Sequence, residues 1–103
     1  MDLHNYIIAI PSYKRNKLLQ EKTLNLLKQY KIPKQKIFIF VANTTEYKLY
    51  SNSIPKDLYH KIIIGKKGLK NQRNFISSYF KEGQFIVQLD DDLDDILQMS
   101  FKK

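Results

Sequence analysis

Phe85-Ile86-Val87-Gln88-Leu89-Asp90-Asp91-Asp92 is the stretch on which the fold turns. Its first five residues make a short, β-rich apolar run, the signature of a buried strand, and the run stops on consecutive carboxylates. Open α/β sheets take their ligands beyond the carboxyl ends of the strands, which is where these aspartates stand. Two bare carboxylates about 4 Å apart repel by roughly 4 kcal/mol at an effective dielectric near 20. That crowding favours a cation between them, and oxygen-only ligands suit Mg2+ or Mn2+ better than zinc.

Upstream lie three more apolar runs, Tyr6 to Ile10, Ile37 to Val41 and His60 to Ile64, each stopped by a turn or loop signal. Between the first two, Leu19, Thr23, Leu26, Leu27 and Tyr30 recur at the spacing of an amphipathic helix that Pro33 ends. Asn43 or Thr44 can cap a short helix running to about Asn52, before Pro55. Leu69, Arg73, Ile76, Tyr79 and Phe80 give a third helical stripe, with Gly83 as its C′ residue. The order β-α-β-α-β-α-β predicts an α/β fold: a Rossmann-like three-layer sandwich with a mostly parallel sheet and helices on both faces. Parallel strands share one carboxyl edge. Pro11 to Arg15, Ala42 to Thr45, Gly65 to Lys70 and Asp90 to Asp92 are therefore expected on one rim.

A chain of 103 residues is one domain with a single modest core. Hydrophobic content of 43% with only three Gly and three Pro marks a folded chain, without repeat, linker or low-complexity segment. The absence of cysteine excludes a disulfide, a thiolate nucleophile and a Cys-based zinc site. The first apolar run is too short for a signal peptide or a membrane span, so a soluble, cytoplasmic protein is expected. Residues 1 to 89 hold 16 Lys and Arg against 5 Asp and Glu, whereas residues 90 to 103 hold 2 against 5. Such a basic body attracts polyanions, whether nucleic acid or a phosphorylated small molecule. The composition of an AT-rich genome would give the same lysine excess.

Among local motifs, Asp90-Asp91-Asp92 with Asp94-Asp95 stands out because it begins where an apolar strand ends. An EF-hand loop fits badly, since Asp95 stands where Gly is needed and Phe101 where Glu is needed, whereas a phospho-accepting or metal-nuclease carboxylate stays open. Gly65-Lys66-Lys67-Gly68 opens a helix carrying Lys70 and Arg73, the ingredients of a phosphate cradle, although the spacing is neither a P-loop nor G-x-G-x-x-G. An ordinary basic turn has the same composition. Tyr13 offers a ring for stacking on a base or for packing. His4 and His60 lack a Ser or Cys partner and read as structural.

Together these residues resemble the N-terminal, nucleotide-binding half of a GT-A glycosyltransferase, most like family 2 and related viral or phage sugar transferases. Ile10-Pro11-Ser12-Tyr13-Lys14-Arg15 is similar to that family's I-P-S/T-Y-N-R, and Phe40-Val41-Ala42-Asn43 stands at the place of its V-D-D. Gly68-Leu69-Lys70-Asn71-Gln72-Arg73-Asn74 is similar to G-L-x-x-A-R-N, and Gly83 to Asp92 to G-E-Y-I-x-F-L-D-x-D. The resemblance implies a truncated GT-A fold over residues 1–103, the donor-binding part of a longer enzyme, and a nucleoside-diphosphate sugar (UDP- or GDP-linked) as ligand. It places Pro11, Ser12 and Tyr13 at the base, Asn43 at the base or ribose, Arg15 at the nucleotide, and Lys70 and Arg73 near the nucleotide and diphosphate. Asp90 and Asp91 would lie at the nucleotide, and Asp92 with Asp90 at a Mn2+ or Mg2+ ion, as in an Asp-x-Asp motif. Asn43 stands where an acid is usual. The acceptor and the catalytic base are not assigned, and Asp94 and Asp95 are the nearest carboxylates for that task.

Two other classes fit parts of the pattern. A nucleic-acid-binding module would use the basic body, but its cations are spread over every segment rather than gathered on one reading helix. A Mg2+-dependent phosphoryl-transfer domain would need a further acid after an early strand, and Ile10-Pro11 and Ala42-Asn43 supply none.

Overall fold

The apolar runs become a single sheet of four strands, β1 (Tyr6–Pro11), β2 (Ile37–Val41), β3 (Lys61–Ile64) and β4 (Phe85–Gln88), in the computed structural model, which describes residues 5–94. All pairings are parallel and the spatial order is β3-β2-β1-β4. The chain adds β2 and β3 on one side of β1, then returns to lay β4 on the other. That reversal makes the crevice between the carboxyl ends of β1 and β4 a topological switch point.

Side chains alternate between two cores, as strand geometry requires. Ile8, Ile10, Ile37, Ile39 and Val41 face Leu19, Leu24, Leu26, Leu27, Tyr50 and Ile54. Ala9 and Phe40, with Ile7, Phe38 and Ile63 beside them, face Ile76, Phe75 and Phe80. The first layer is built by a helical rod and by α3 (Thr44–Ser53), the second by α4 (Leu69–Tyr79). The three-layer α/β sandwich is thus realised.

The rod runs as α1 (Asn16–Leu19), a π-turn (Gln20–Leu24) and α2 (Asn25–Gln29). It ends earlier than Pro33, where Lys31 turns left-handed (φ 58°) and Ile32 N–H donates to the Leu27 carbonyl. Tyr30, expected on the buried stripe, lies past that end and is half exposed.

Other local expectations need correction. β3 begins at Lys61; His60 precedes it, donating its N–H to Ile37 O and packing edge-on against Phe38. Gly83 is not the C′ residue of α4, which ends at Tyr79; it adopts φ 91° in the separate turn before β4. Leu69, expected on the buried face of α4, is 61% exposed, and Gln72 is buried in its stead. β4 is not a fully buried strand but a sheet edge, all four residues half-buried, because the strand order leaves its outer side unpaired among the described residues. His4 and Asp95 lie outside the described residues.

Candidate functional site

The loops after all four strands meet at the carboxyl edge of the sheet, around a cavity of about 430 Å³. That size falls within the range of small-molecule sites. Pro11, Ser12, Tyr13 and Arg15 line it from β1, and Asp90, Asp91 and Asp92 from β4. Ala42 contributes from β2, and Lys66, Lys67, Gly68, Leu69 and Gln72 from the β3–α4 connection. Acidic and basic residues from different loops therefore line one space, with Tyr13 at its rim. The Lys14 and Lys67 ammonium groups stand 5.2 and 5.7 Å from the Tyr13 ring centroid, within cation–π range.

The acid cluster is not uniform. Asp91 is 6% exposed; it accepts from Ser12 Oγ at 2.8 Å and from Arg15 Nη1 at 2.8 Å. The side chains of Asp90 and Asp92 remain 62% and 49% exposed. Arg15 also reaches Asp92 at 3.7 Å, and Arg73 reaches Asp90 at 3.1 Å while donating to Gln88 Oε1. The hydrogen bond and charge of Asp91 hold the Arg15 guanidinium above its ordinary pKa.

The backbone of this tip is held from the rod. Thr23, fully buried in the π-turn, donates its hydroxyl to Asp90 O at 2.7 Å and accepts the Leu93 N–H at 2.9 Å. π-turns recur at functional sites, and here one delivers the residue that braces the carboxylate turn.

On the opposite wall Gln72 joins two loops. Its Nε2 donates to Val41 O and its Oε1 accepts the Lys66 N–H. The bonds tie the Lys66-Lys67 loop to the end of β2. Three of the residues singled out from the sequence do not line the cavity. Lys70 is exposed on the first turn of α4, and Arg73 contributes through Asp90. Asn43 is the N-cap of α3, its Oδ1 accepting the Glu46 N–H at 2.9 Å. Asn43→Ala should lower stability by about 1 kcal/mol in urea denaturation, whereas Asn43→Asp, which keeps the cap, should leave it nearly unchanged.

Tyr50, Glu46, Gln72 and Thr23 also build the site and are not among the site residues singled out from the sequence. Thr23 falls on the buried stripe of the first helix, but nothing in its spacing marks a hydroxyl bridging two backbone groups. For Glu46 and Tyr50 a signal did exist: α3 has too few apolar residues for a helix packed on a core, so its buried face had to be polar.

A parallel three-layer sandwich with a cavity at its switch point, lined by both acidic and basic residues, defines a Rossmann-like α/β domain. A family model narrows the class: the chain belongs to the TET-Associated Glycosyltransferase family, whose model matches residues 6–103. It is thus a glycosyltransferase domain. No curated protein and no solved structure gives a match. Among the described residues no helix is long and apolar enough to cross a membrane.

Proposed function

We propose that the crevice between β1 and β4 is the donor site of a GT-A-type, family 2-like glycosyltransferase, binding a UDP- or GDP-sugar with Mn2+ or Mg2+. The observation that carries this reading is the division of the aspartate triplet: Asp91 turns inward onto Ser12 and Arg15, while Asp90 and Asp92 stay exposed on the cavity wall. Their oxygen donors suit a hard divalent cation. Among the described residues no group of three or more His, Asp or Glu could enclose a metal. A cation here would be held by one or two carboxylates and completed by substrate phosphates.

When bound, such a metal stabilises the charge that builds on the departing nucleoside diphosphate. The chain's own residues supply the rest of the donor pocket. Tyr13 offers a ring face to the base. Lys66 and Lys67 bring positive charge to the wall opposite the carboxylates. Arg15, pinned by Asp91, keeps a cation beside Asp92 and offers donors to a phosphate oxygen.

Calorimetric titration with UDP and GDP, with and without Mn2+, tests the reading. Wild type should bind one of the two nucleotides in a Mn2+-dependent manner, and Asp92→Ala should weaken that binding at least tenfold, about 1.4 kcal/mol. Binding of neither nucleotide, or an affinity untouched by Asp92→Ala, would remove the basis for a donor site. Salt-sensitive binding of RNA or DNA indifferent to Mn2+ would favour the nucleic-acid module instead.

A further inference from the structure

Glu46, Tyr50 and Ser53 stand at i, i+4 and i+7 on α3, a spacing that puts them on one face. Each meets one of three consecutive residues, Lys14 and Arg15 in the loop after β1 and Asn16 at the start of α1. Lys14 N–H donates to Glu46 Oε1 at 2.7 Å, Arg15 N–H to Tyr50 Oη at 3.1 Å, and Asn16 Nδ2 to Ser53 Oγ at 2.9 Å. Glu46 is 5% exposed and Tyr50 fully buried, positions where an unpartnered carboxylate or phenol would be costly. The loop they hold is itself unusual, since Lys14 adopts φ 55°, a left-handed conformation that disfavours a lysine.

From Tyr50 the hydrogen bonds run in one direction. The Ser12 hydroxyl is committed to Asp91 Oδ2, and a carboxylate only accepts. At the 2.7 Å contact between Tyr50 Oη and Ser12 Oγ, the phenol must therefore donate. Burial pushes the Tyr50 phenol above its ordinary pKa, outweighing its hydrogen bonds with Ser12 and the Arg15 backbone, so the donating proton is retained at neutral pH. The sequence Arg15 N–H to Tyr50 to Ser12 to Asp91 closes into a ring when Arg15 Nη1 donates to Asp91 Oδ1. Hydrogen bonds aligned in this way polarise one another.

We propose that Tyr50, flanked by Glu46 and Ser53, is a positioning residue of the crevice. Through Ser12 and the Arg15 backbone it holds Asp91 inward, and with it the outward presentation of Asp90 and Asp92. Its ligand rests on the donor-site reading above; the ordering of the loop does not.

Tyr50→Phe keeps the ring in the core and removes only the hydroxyl. By NMR, amide exchange at Arg15 should accelerate at least tenfold while the β1 amides of Ile8 and Ile10 keep their protection. The Kd of whichever Mn2+-nucleotide wild type binds should rise at least fivefold. Ser12→Ala should weaken binding similarly, and the double variant should be little worse than either single one, as members of one network behave. Should Tyr50→Phe fail to fold, Ser12→Ala and Glu46→Gln carry the test, the latter through faster exchange at Lys14. A lowered unfolding midpoint with unchanged Arg15 exchange or unchanged Kd overturns the proposal, because a purely structural phenol predicts that split. If wild type binds neither nucleotide, the donor reading fails. The exchange data, with paramagnetic broadening of the Asp90 and Asp92 amides by Mn2+ alone, then decide the positioning role: broadening in wild type that Tyr50→Phe reduces supports it, and equal broadening overturns it.

Discussion

Gly65→Ala should destabilise the chain by about 2–4 kcal/mol, a large effect for one methyl group at a loop position. A Cβ there would stand 2.1 Å from Gln72 Oε1 and 2.9 Å from Phe75 Cδ2. A flexible amide could normally swing away. Gln72 cannot do so without cost, because it is 4% exposed and pinned at both ends, to Lys66 N–H and Val41 O. Moving it strips a buried side-chain amide of both its partners, leaving Val41 O with the Gly65 N–H alone, and the Phe75 ring must shift as well. Urea denaturation at unchanged m-value would report the loss as a lower midpoint. Gln72→Ala removes the nearer obstacle and leaves Phe75, so adding Gly65→Ala to it should cost clearly less than Gly65→Ala alone. Equal cost in both backgrounds would show that the amide is not what the methyl displaces.

Phe40→Ala should cost about 3–5 kcal/mol, a large share of the roughly 5–15 kcal/mol that holds a domain folded. Phe40 is fully buried on β2 and meets three rings near edge-on, Phe75, Tyr79 and Phe80, with centroids 6.2, 5.6 and 5.9 Å away. Such pairs contribute beyond the area they bury. The Phe40 carbonyl also accepts the Ser12 N–H, so the same residue anchors the start of the loop that carries Tyr13 and Arg15. Phe40→Leu, which fills most of the space, should lose clearly less, and thermal or urea unfolding of the pair separates cavity formation from loss of the ring contacts.

Much of this architecture was readable beforehand because apolar runs and helical stripes report burial directly. Ile8 and Ile10 against Ile7 and Ala9 show the two-residue alternation of a central strand with a core on each side. What composition cannot convey is which neighbour a strand receives. Phe85-Ile86-Val87 has the make-up of an interior strand, yet the chain's return past β1 puts it at an edge. The site was legible where chemistry sits on consecutive residues, as at Pro11 to Arg15 and Asp90 to Asp92. It was hidden where one residue serves another's backbone. Gln72 and Tyr50 do so from helices that supply no apolar stripe at those positions. Lys14 shows a further gap: nothing in its neighbours announces a left-handed backbone, although Asn at that place in the resembling motif suits it. Asp91 illustrates the last one, since three identical side chains in a row are indistinguishable by type and only burial divides them.

The reversal in strand order has a consequence for how the pocket comes into being. Tyr6 pairs with Phe85 and Ala9 with Gln88, so both walls of the crevice exist only after distant parts of the chain have closed a long loop. No partial fold lacking β4 can hold the pocket, and detachment of that outermost strand would dismantle it while β1, β2 and β3 stayed paired. Any molecule that grips Ser12 or Arg15 together with Asp90 or Asp92 must, by mass action, also fasten β4 to β1.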